Sequence, residues 1–368
     1  ETRLMVSRLL DISLRQRLLV IICSIMIGAG GIYAFRTIPI DAFPDVTSVL
    51  VQVVTKAPGL SPAEVERLVT YPVELQLTGV PSLTEMRSLT KVGLSLITIV
   101  FDDSMDINLA RQLVLERLLE VKEQLPPGAE PMLVPNSTGL GEVFQYYLEA
   151  PQRAAADTEA EHQSLIVQRT IQDWVIRPLL KSTPEVIDIN SMGGYVKQYQ
   201  VLVEPGLLRK YGLTLHEVFD AVARNNANAG GNILEKHDEK YIVRGIGLIR
   251  SLQDIERIVV KETGGTPVFV GDVAQVLIDH AVRHGATVLN GDREVVSGIV
   301  LMLRGGNARD VVEGIKTRIE DIHAKHLLPD GLRIVPFYDR IELITEALNT
   351  VYKSLAEGVV LVVVVLFL

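Results

Sequence analysis

Two apolar runs bracket about three hundred mostly polar residues, and they constrain this chain more than any other feature. Leu18–Phe35 reads LLVIICSIMIGAGGIYAF, eighteen residues without a charge. Val359–Leu368 reads VVLVVVVLFL, a run of ten. A helix needs roughly 20 apolar residues to cross a hydrocarbon core. The first run is therefore expected to span a membrane, and the second to be the start of another span. The chain is expected to be a piece of a larger integral membrane protein.

Charge then sets the orientation. Four arginines (Arg3, Arg8, Arg15, Arg17) against two acids (Glu1, Asp11) precede the first apolar run. The positive-inside rule puts that end in the cytoplasm, and the polar middle on the far side, the periplasm of a bacterium. A cleaved signal peptide fits poorly, because the run is long for an h-region and no A-x-A site follows. The net charge of −9 argues against nucleic acid, which needs clustered lysine and arginine. The single cysteine, Cys23, lies inside the first run, so no disulfide framework supports the polar region. Gly30 and Ala34 are spaced for close approach of another membrane helix, or are simply small residues of one.

Between the runs the pattern alternates between strand and helix. Val46–Val54 reads as a strand. Ser61-Pro62-Ala63-Glu64 is a capping box that starts a helix running to Thr78, strained at Pro72. Strands are expected at Leu83–Ser88 and Leu94–Phe101, a helix at Asp106–Gln124 and a short strand at Met132–Val134. The order β-α-β-β-α-β is that of a ferredoxin-like unit. A second copy follows: strand Val143–Leu148, helix Ser164–Leu180, strand Val186–Asn190, strand Val295–Leu303, helix Asn307–Lys325 and strand Leu332–Tyr338. The helix stops Q-L-P-P-G and L-L-P-D-G fall at the same place in each copy, which supports an internal duplication.

The second copy is split by an insertion, roughly Val196–Asp279. It carries a strand at Gln198–Val203, a helix at Thr214–Arg224 capped by Thr214 and Glu217, and a strand at Tyr241–Gly245. Its Asn225–Asn232 stretch reads as a small polar loop, either a mobile tip or an arm to a neighbouring subunit. The fold class is α+β with membrane helices. The expected segments are 1–36 (cytoplasmic start and first span), 37–137 (first unit), 138–192 with 281–338 (second unit), 193–280 (insertion) and 339–368 (linker helix and start of a second span).

Catalytic motifs are absent. The glycine pairs lack the strand–turn–helix setting of a phosphate or dinucleotide loop. His280 and His284, four apart, and His323 and His326, three apart, have spacings that could share a helix face. Surface or structural roles are expected for both pairs. His237-Asp238-Glu239 reads as a solvated hairpin tip. Met86, Met105, Met132, Met192 and Met302 are scattered and form no soft-ligand cluster. Glu142 follows Gly139-Leu140-Gly141, where glycines allow close backbone approach, and Asp173 sits beside Trp174. Two carboxylates near a domain junction can hold a divalent cation, or be a solvated acid and a cap.

These residues resemble a known family. The run from Ile38 to Glu74, IPIDAFPDVTSVLVQVVTKAPGLSPAEVERLVTYPVE, is similar to the start of the periplasmic porter of heavy-metal efflux pumps of the resistance–nodulation–division superfamily. RSLTKVGLSLITIVFDD (Arg87–Asp103), STGLGE (Ser137–Glu142), IQDWVIRPLL (Ile171–Leu180), KQYQV (Lys197–Val201), YGLT (Tyr211–Thr214) and YDRIELI (Tyr338–Ile344) match in the same order. The resemblance covers essentially the whole chain.

It implies a proton-driven exporter of the bacterial inner membrane, a secondary transporter rather than an enzyme. Such a pump works as a homotrimer in contact with membrane lipid, joined to a periplasmic membrane-fusion adaptor and an outer-membrane channel. The two ferredoxin-like units become porter subdomains and the insertion a docking subdomain. Asn225, Asn226, Asn228, Gly230 and Gly231 become the arm that touches a neighbouring subunit. Divalent-cation pumps of the family carry a glutamate where Glu142 stands, whereas copper and silver pumps resemble G-V-G-W there. Glu142 and Asp173 are thus implied as cargo ligands and Arg87 as a residue lining the cleft. A carboxylate site suits Zn²⁺, Co²⁺, Ni²⁺ or Cd²⁺, with zinc first. No cofactor is implied beyond the transported ion. The alternatives are a Cu⁺/Ag⁺ pump, a multidrug exporter, whose cleft would need more aromatics than the 5% present, and a membrane-anchored scaffold.

Overall fold

The computed structural model describes residues 16–37, 47–137, 139–151, 158–236, 239–283 and 285–367. Its first element is helix α1 (Arg17–Thr37). Leu18, Ile21, Ile25 and Ile27 on α1 are exposed.

The first compact unit comprises β1 (Leu50–Lys56), helix α2 (residues 62–77), β2 (Leu83–Lys91), β3 (Leu94–Phe101), α3 (Ile107–Val121) and β4 (Glu130–Leu133). The antiparallel sheet runs β2-β3-β1-β4, the ferredoxin-like order. Alternation decides its faces. Ile97, Ile99 and Phe101 of β3 are buried against the helices together with Val51 and Val53 of β1. Leu96, Thr98 and Val100 lie on the other, helix-free face. Each side chain so buried contributes roughly 1.5–3 kcal/mol.

Helix α2 starts as its sequence predicts, with the Ser61 N–H donating to the Glu64 carboxylate at 2.9 Å. Its buried apolar side chains are Val65, Val69, Val73 and Leu77, with Thr70 buried beside them. A strict four-residue spacing drifts off one face of a 3.6-residue helix. The drift is absorbed by a π turn at Glu66–Thr70, just ahead of Pro72. The strain expected at Pro72 thus coincides with a wider turn directly before it. Asp106 caps α3 by accepting from the N–H groups of Asn108 (2.8 Å) and Leu109 (3.0 Å).

The second unit opens with β5 (Glu142–Glu149), α4 (residues 158–181) and β6 (Val186–Met192). Helix α4 begins at Thr158, earlier than the Ser164 expected, and Glu159 and Glu161 in its first turn suit the positive end of the helix dipole. It too contains a π turn, Gln172–Ile176, followed by Arg177-Pro178.

The insertion stands on a two-stranded stalk, β7 (Lys197–Val203) running outward and a returning strand described below. It then forms α5 (Pro205–Tyr211), α6 (Leu215–Arg224), a hairpin of β8 (Ala229–Lys236) and β9 (Glu239–Gly245), α7 (Leu252–Glu256), and a ribbon of β10 (Val259–Thr263) and β11 (Thr266–Phe269). The returning strand is β12 (Ala274–His280), paired with β7 from Val203↔Ala274 to Lys197↔His280. The Thr214–Glu217 capping box is present. A core of Ala221, Ile255, Ile258, Val270, Ala274 and Val276 holds the insertion together. The expected Asn225–Asn232 loop is in part strand: from Ala229 it becomes β8, paired with β9. Its small polar residues carry no hydrophobic alternation, so the strand left no trace in the sequence pattern.

A short hairpin of β13 (Thr287–Leu289) and β14 (Arg293–Val295) leads into β15 (Ser297–Met302), α8 (Ala308–Ala324) and β16 (Arg333–Asp339), which complete the second unit. Its sheet runs β16-β5-β15-β6, the same topology as the first. Gly128 and Gly331, in the two matching helix stops, both have φ of +84°, a conformation that favours glycine. Helix α9 (Arg340–Phe367) follows β16 directly, so the expected linker and second apolar run form one continuous helix. Among the described residues α9 is the one helix long and apolar enough to cross a membrane by length and composition. In α1 the comparable apolar stretch is shorter, Val20–Gly31.

Candidate functional site

The segment joining the two units is tied down from several sides. The Arg304 guanidinium donates to the carbonyls of Thr47 and Ser48 at the entry to β1. The Arg304 N–H donates to the Asn136 carbonyl at 3.3 Å. Arg340, buried at the start of α9, donates to the Leu140 carbonyl. A side chain at Gly141 would meet the Ser137 hydroxyl and lie 3.0 Å from the Met302 carbonyl, so the backbone passes close to both here. Glu142, the next residue, therefore enters β5 from a fixed position.

The strand is irregular at this point. Val300 pairs with Phe144 but Leu301 pairs with Glu142, which leaves Val143 as an extra, bulged residue. Val143 and Phe144 are both buried as a result. Such a bulge re-aims the neighbouring side chain. Glu142 is half-buried on the helix-free face, where the Gln145 amide donates to its Oε2 at 3.0 Å.

Asp173 is positioned differently. It lies in the π turn of α4, in the helix layer, with Arg169 Nε at 2.8 Å from its Oδ2. Arg169 also donates to the Gly193 carbonyl at 2.7 Å. The Asp173 Oδ1 is buried with no hydrogen-bond partner among the described residues. Its neighbour Gln172 exchanges hydrogen bonds with the buried Tyr146 hydroxyl, which faces the helices. Burial pushes the Tyr146 phenol well up from its ordinary value. The sheet thus stands between Asp173 and Glu142, and the structure does not bring the two together.

The carboxylate in register with Glu142 is Asp188, since Leu301 pairs with Glu142 on one side and Asp188 on the other. Asp188 is already matched by Arg177 (2.9 Å) and Lys181 (3.2 Å). Burial pushes the Asp188 carboxyl up, but the Arg177, Ile189 N–H and Lys181 hydrogen bonds outweigh it and hold it below the ordinary range. Sequence reading missed this residue because a β register is visible only once strands pair. Arg87 is exposed on β2, opposite Thr98 on the helix-free face of the first sheet, and pairs with Glu85 at 3.2 Å.

The asparagines of the insertion have work inside the chain. The Asn225 amide donates to the Ala221 carbonyl at 2.8 Å and closes α6. Asn226 and Asn228 accept from the N–H groups of Ile249 and Gly247, both at 3.2 Å, and so brace the foot of the β8–β9 hairpin. Gly230 and Gly231 are exposed on β8. The hairpin tip, His237-Asp238, lies outside the described residues.

The histidines regroup. His323 Nε2 accepts from the Ile334 N–H at 3.3 Å, and His326 adopts a left-handed φ of 50° just past the helix end, so both have structural jobs. His284 lies outside the described residues. His280 sits at the end of a strand, not on a helix, and meets His162 of α4, with ring centroids 4.9 Å apart. No local spacing announces that pair.

Residues 9–368 match the AcrB/AcrD/AcrF family. The chain is 43% identical to the cobalt-zinc-cadmium resistance protein CzcA of Cupriavidus metallidurans over 99% of its length and 34% of that protein. It is 42% identical to the protein HelA of Legionella pneumophila, with the same coverage of both chains. A solved heavy metal efflux pump superposes with a TM-score of 0.86 at 35% identity, over 96% of this chain and 34% of that one. The tandem ferredoxin-like units with their inserted domain are thus an efflux-pump architecture. The chain belongs to the AcrB/AcrD/AcrF family, in the heavy-metal efflux branch of the resistance–nodulation–division transporters. It spans about a third of the length of the curated relatives it matches.

Proposed function

We propose that this chain supplies the first two porter subdomains and the docking subdomain of an inner-membrane, proton-driven pump that exports divalent heavy-metal cations. The observation that carries the reading is Glu142. Its carboxylate is half-buried at the β5 bulge, just after a backbone segment held by Arg340, and accepts a hydrogen bond from the Gln145 amide. A carboxylate so held, with no ion pair among the described residues, suits a hard or borderline divalent ion. The names of similar proteins, cobalt-zinc-cadmium and nickel-cobalt-cadmium resistance proteins, support the same ion class; within it, zinc is our first candidate. Asp173, with one orphaned buried oxygen, is a second acid on the cargo route rather than a member of the same ligand set. Arg87, exposed on the helix-free face of the first sheet, lines the cleft.

The apolar helices α1 and α9 support a multi-pass membrane protein whose described middle is periplasmic. The β8–β9 hairpin supports a homotrimer, since an isolated two-stranded hairpin is marginal without a partner surface. The adaptor and the outer-membrane channel would meet the insertion. Metal affinity that differs between cleft states, coupled to proton entry through membrane acids, would drive export.

The test is metal flux in proteoliposomes containing the full-length protein under an imposed proton gradient, comparing Zn²⁺, Co²⁺, Ni²⁺ and Cu⁺. Gradient-dependent Zn²⁺ movement that disappears in Glu142→Gln is the expected result. Movement of Cu⁺ alone would overturn the substrate class, and no metal movement would overturn the pump reading.

A further inference from the structure

We propose that His162, Asp279 and His280 bind a borderline divalent cation, of the class of Zn²⁺, Co²⁺ or Ni²⁺, at a site separate from Glu142. The bound ion would pin the stalk of the insertion to helix α4. Among the described residues this is the one group of three such side chains whose ligand atoms all lie within 4.8 Å of one another.

The ligand chemistry is built in. His280 Nδ1 lies 2.8 Å from the Ala281 carbonyl, to which it can only donate, so the Nε2 lone pair is left for a metal. A carbonyl behind a histidine is the usual outer support of a metal ligand. Asp279 Oδ1 stands 3.6 Å from that Nε2 and is oriented by the His280 backbone N–H at 2.8 Å. A tetrahedral zinc site needs ligand atoms ~3.3 Å apart, and the Asp279 Oδ1–His280 Nε2 pair, at 3.6 Å, is already close to that spacing. Two imidazoles and one carboxylate leave a fourth position for water.

The surroundings favour a cation. The group lines an open groove of about 670 Å³ that also carries Glu159, Glu161 and Glu294. Two positive charges stand nearby among the described residues: Arg283, engaged by Glu294 and lying over the Tyr195 ring at 4.5 Å, and Lys197, across from His280 and lying over the Tyr199 ring at 5.3 Å. Tyr195 itself packs on both imidazoles, with centroids 4.2 Å from His162 and 4.6 Å from His280, which limits their rotation.

The place gives the site its consequence. His280 ends β12 opposite Lys197 at the start of β7, so Asp279 and His280 mark the root of the stalk. His162 belongs to the helix that covers the second sheet. An ion bridging them joins the insertion to the porter unit and restricts rocking between them. This site does not depend on Glu142 carrying cargo.

Equilibrium dialysis of the full-length protein in detergent against Zn²⁺, together with Co²⁺ absorption in the visible range, tests the site. Wild type and Glu142→Gln should share one equivalent that shows the tetrahedral cobalt bands. His162→Asn and His280→Asn should each lose that equivalent, or weaken it by ~10–100-fold or more, with metal-free melting temperatures unchanged. Added Zn²⁺ should raise the melting temperature of wild type but not of His162→Asn. Equal stoichiometry and equal cobalt spectra in wild type and both histidine variants would overturn the proposal, leaving a stacked ring cluster. Loss of the bands in Glu142→Gln alone would do the same.

Discussion

Gly298 of β15 lies directly opposite Tyr146 of β5, and the Tyr146 ring fills the space that any side chain at 298 would need. The ring is fully buried, and its hydroxyl is locked by Gln172, so it has nowhere to go. Gly298→Ala is expected to destabilise the second unit by about 1–3 kcal/mol, the usual cost of overpacking a core. Chemical denaturation reads this out. Because the clash needs both partners, Gly298→Ala in a Tyr146→Ala background should cost clearly less than in wild type.

Glu142→Gln separates charge from architecture. The amide is isosteric and can still meet Gln145, so stability should change by less than about 0.5 kcal/mol. Metal flux should nevertheless be lost, since an amide is a poor ligand for a divalent ion. A variant that unfolds would point instead to a structural acid, and thermal melting distinguishes the two.

Asp188 predicts an acid limb. Its folded carboxyl sits below its ordinary value of 3.8 despite its burial, through bonds from Arg177, Ile189 N–H and Lys181. A lowered folded value means that the contribution is fully present above the unfolded value. It is lost as pH falls through the folded one. Asp188→Asn should therefore be less stable than wild type at neutral pH, and the gap should close in acid below 3.8. Urea midpoints across that range check the sign. A constant gap would exclude this pair as the source.

The β8–β9 hairpin can be cut back without removing any residue of the described core of the insertion. Replacing residues 229–245 by a short glycine-serine turn should leave the insertion folded around Ala221, Ile255 and Val276. The expected result is a shift from trimer to monomer in light scattering of the detergent-solubilised protein. An unchanged trimer would remove the hairpin from the subunit contact.

What could be read in advance was local. The Ser61–Glu64 and Thr214–Glu217 boxes and the Asp106 cap act within three residues, so their sequence spacing is their geometry. The two proline-glycine helix stops exposed the duplication for the same reason. The π turns ahead of Pro72 and Pro178 were not legible, although both fall directly before an X-Pro pair in the first helix of each unit. They answer a demand set by the sheet beneath, which each helix must cover with one continuous apolar face.

The sequence by itself determined the order of elements in the two repeated units, their capping boxes and helix stops, the apolar runs and the family, because those follow from periodicity, caps and long ordered motifs. Only the tertiary structure decided which acid shares a row with Glu142, and that Asp173 lies across the sheet from it. It also decided that His280 meets His162 rather than His284. Register, bulges and the approach of distant strands to helices arise when separate segments bury one surface together. No single segment carries that information.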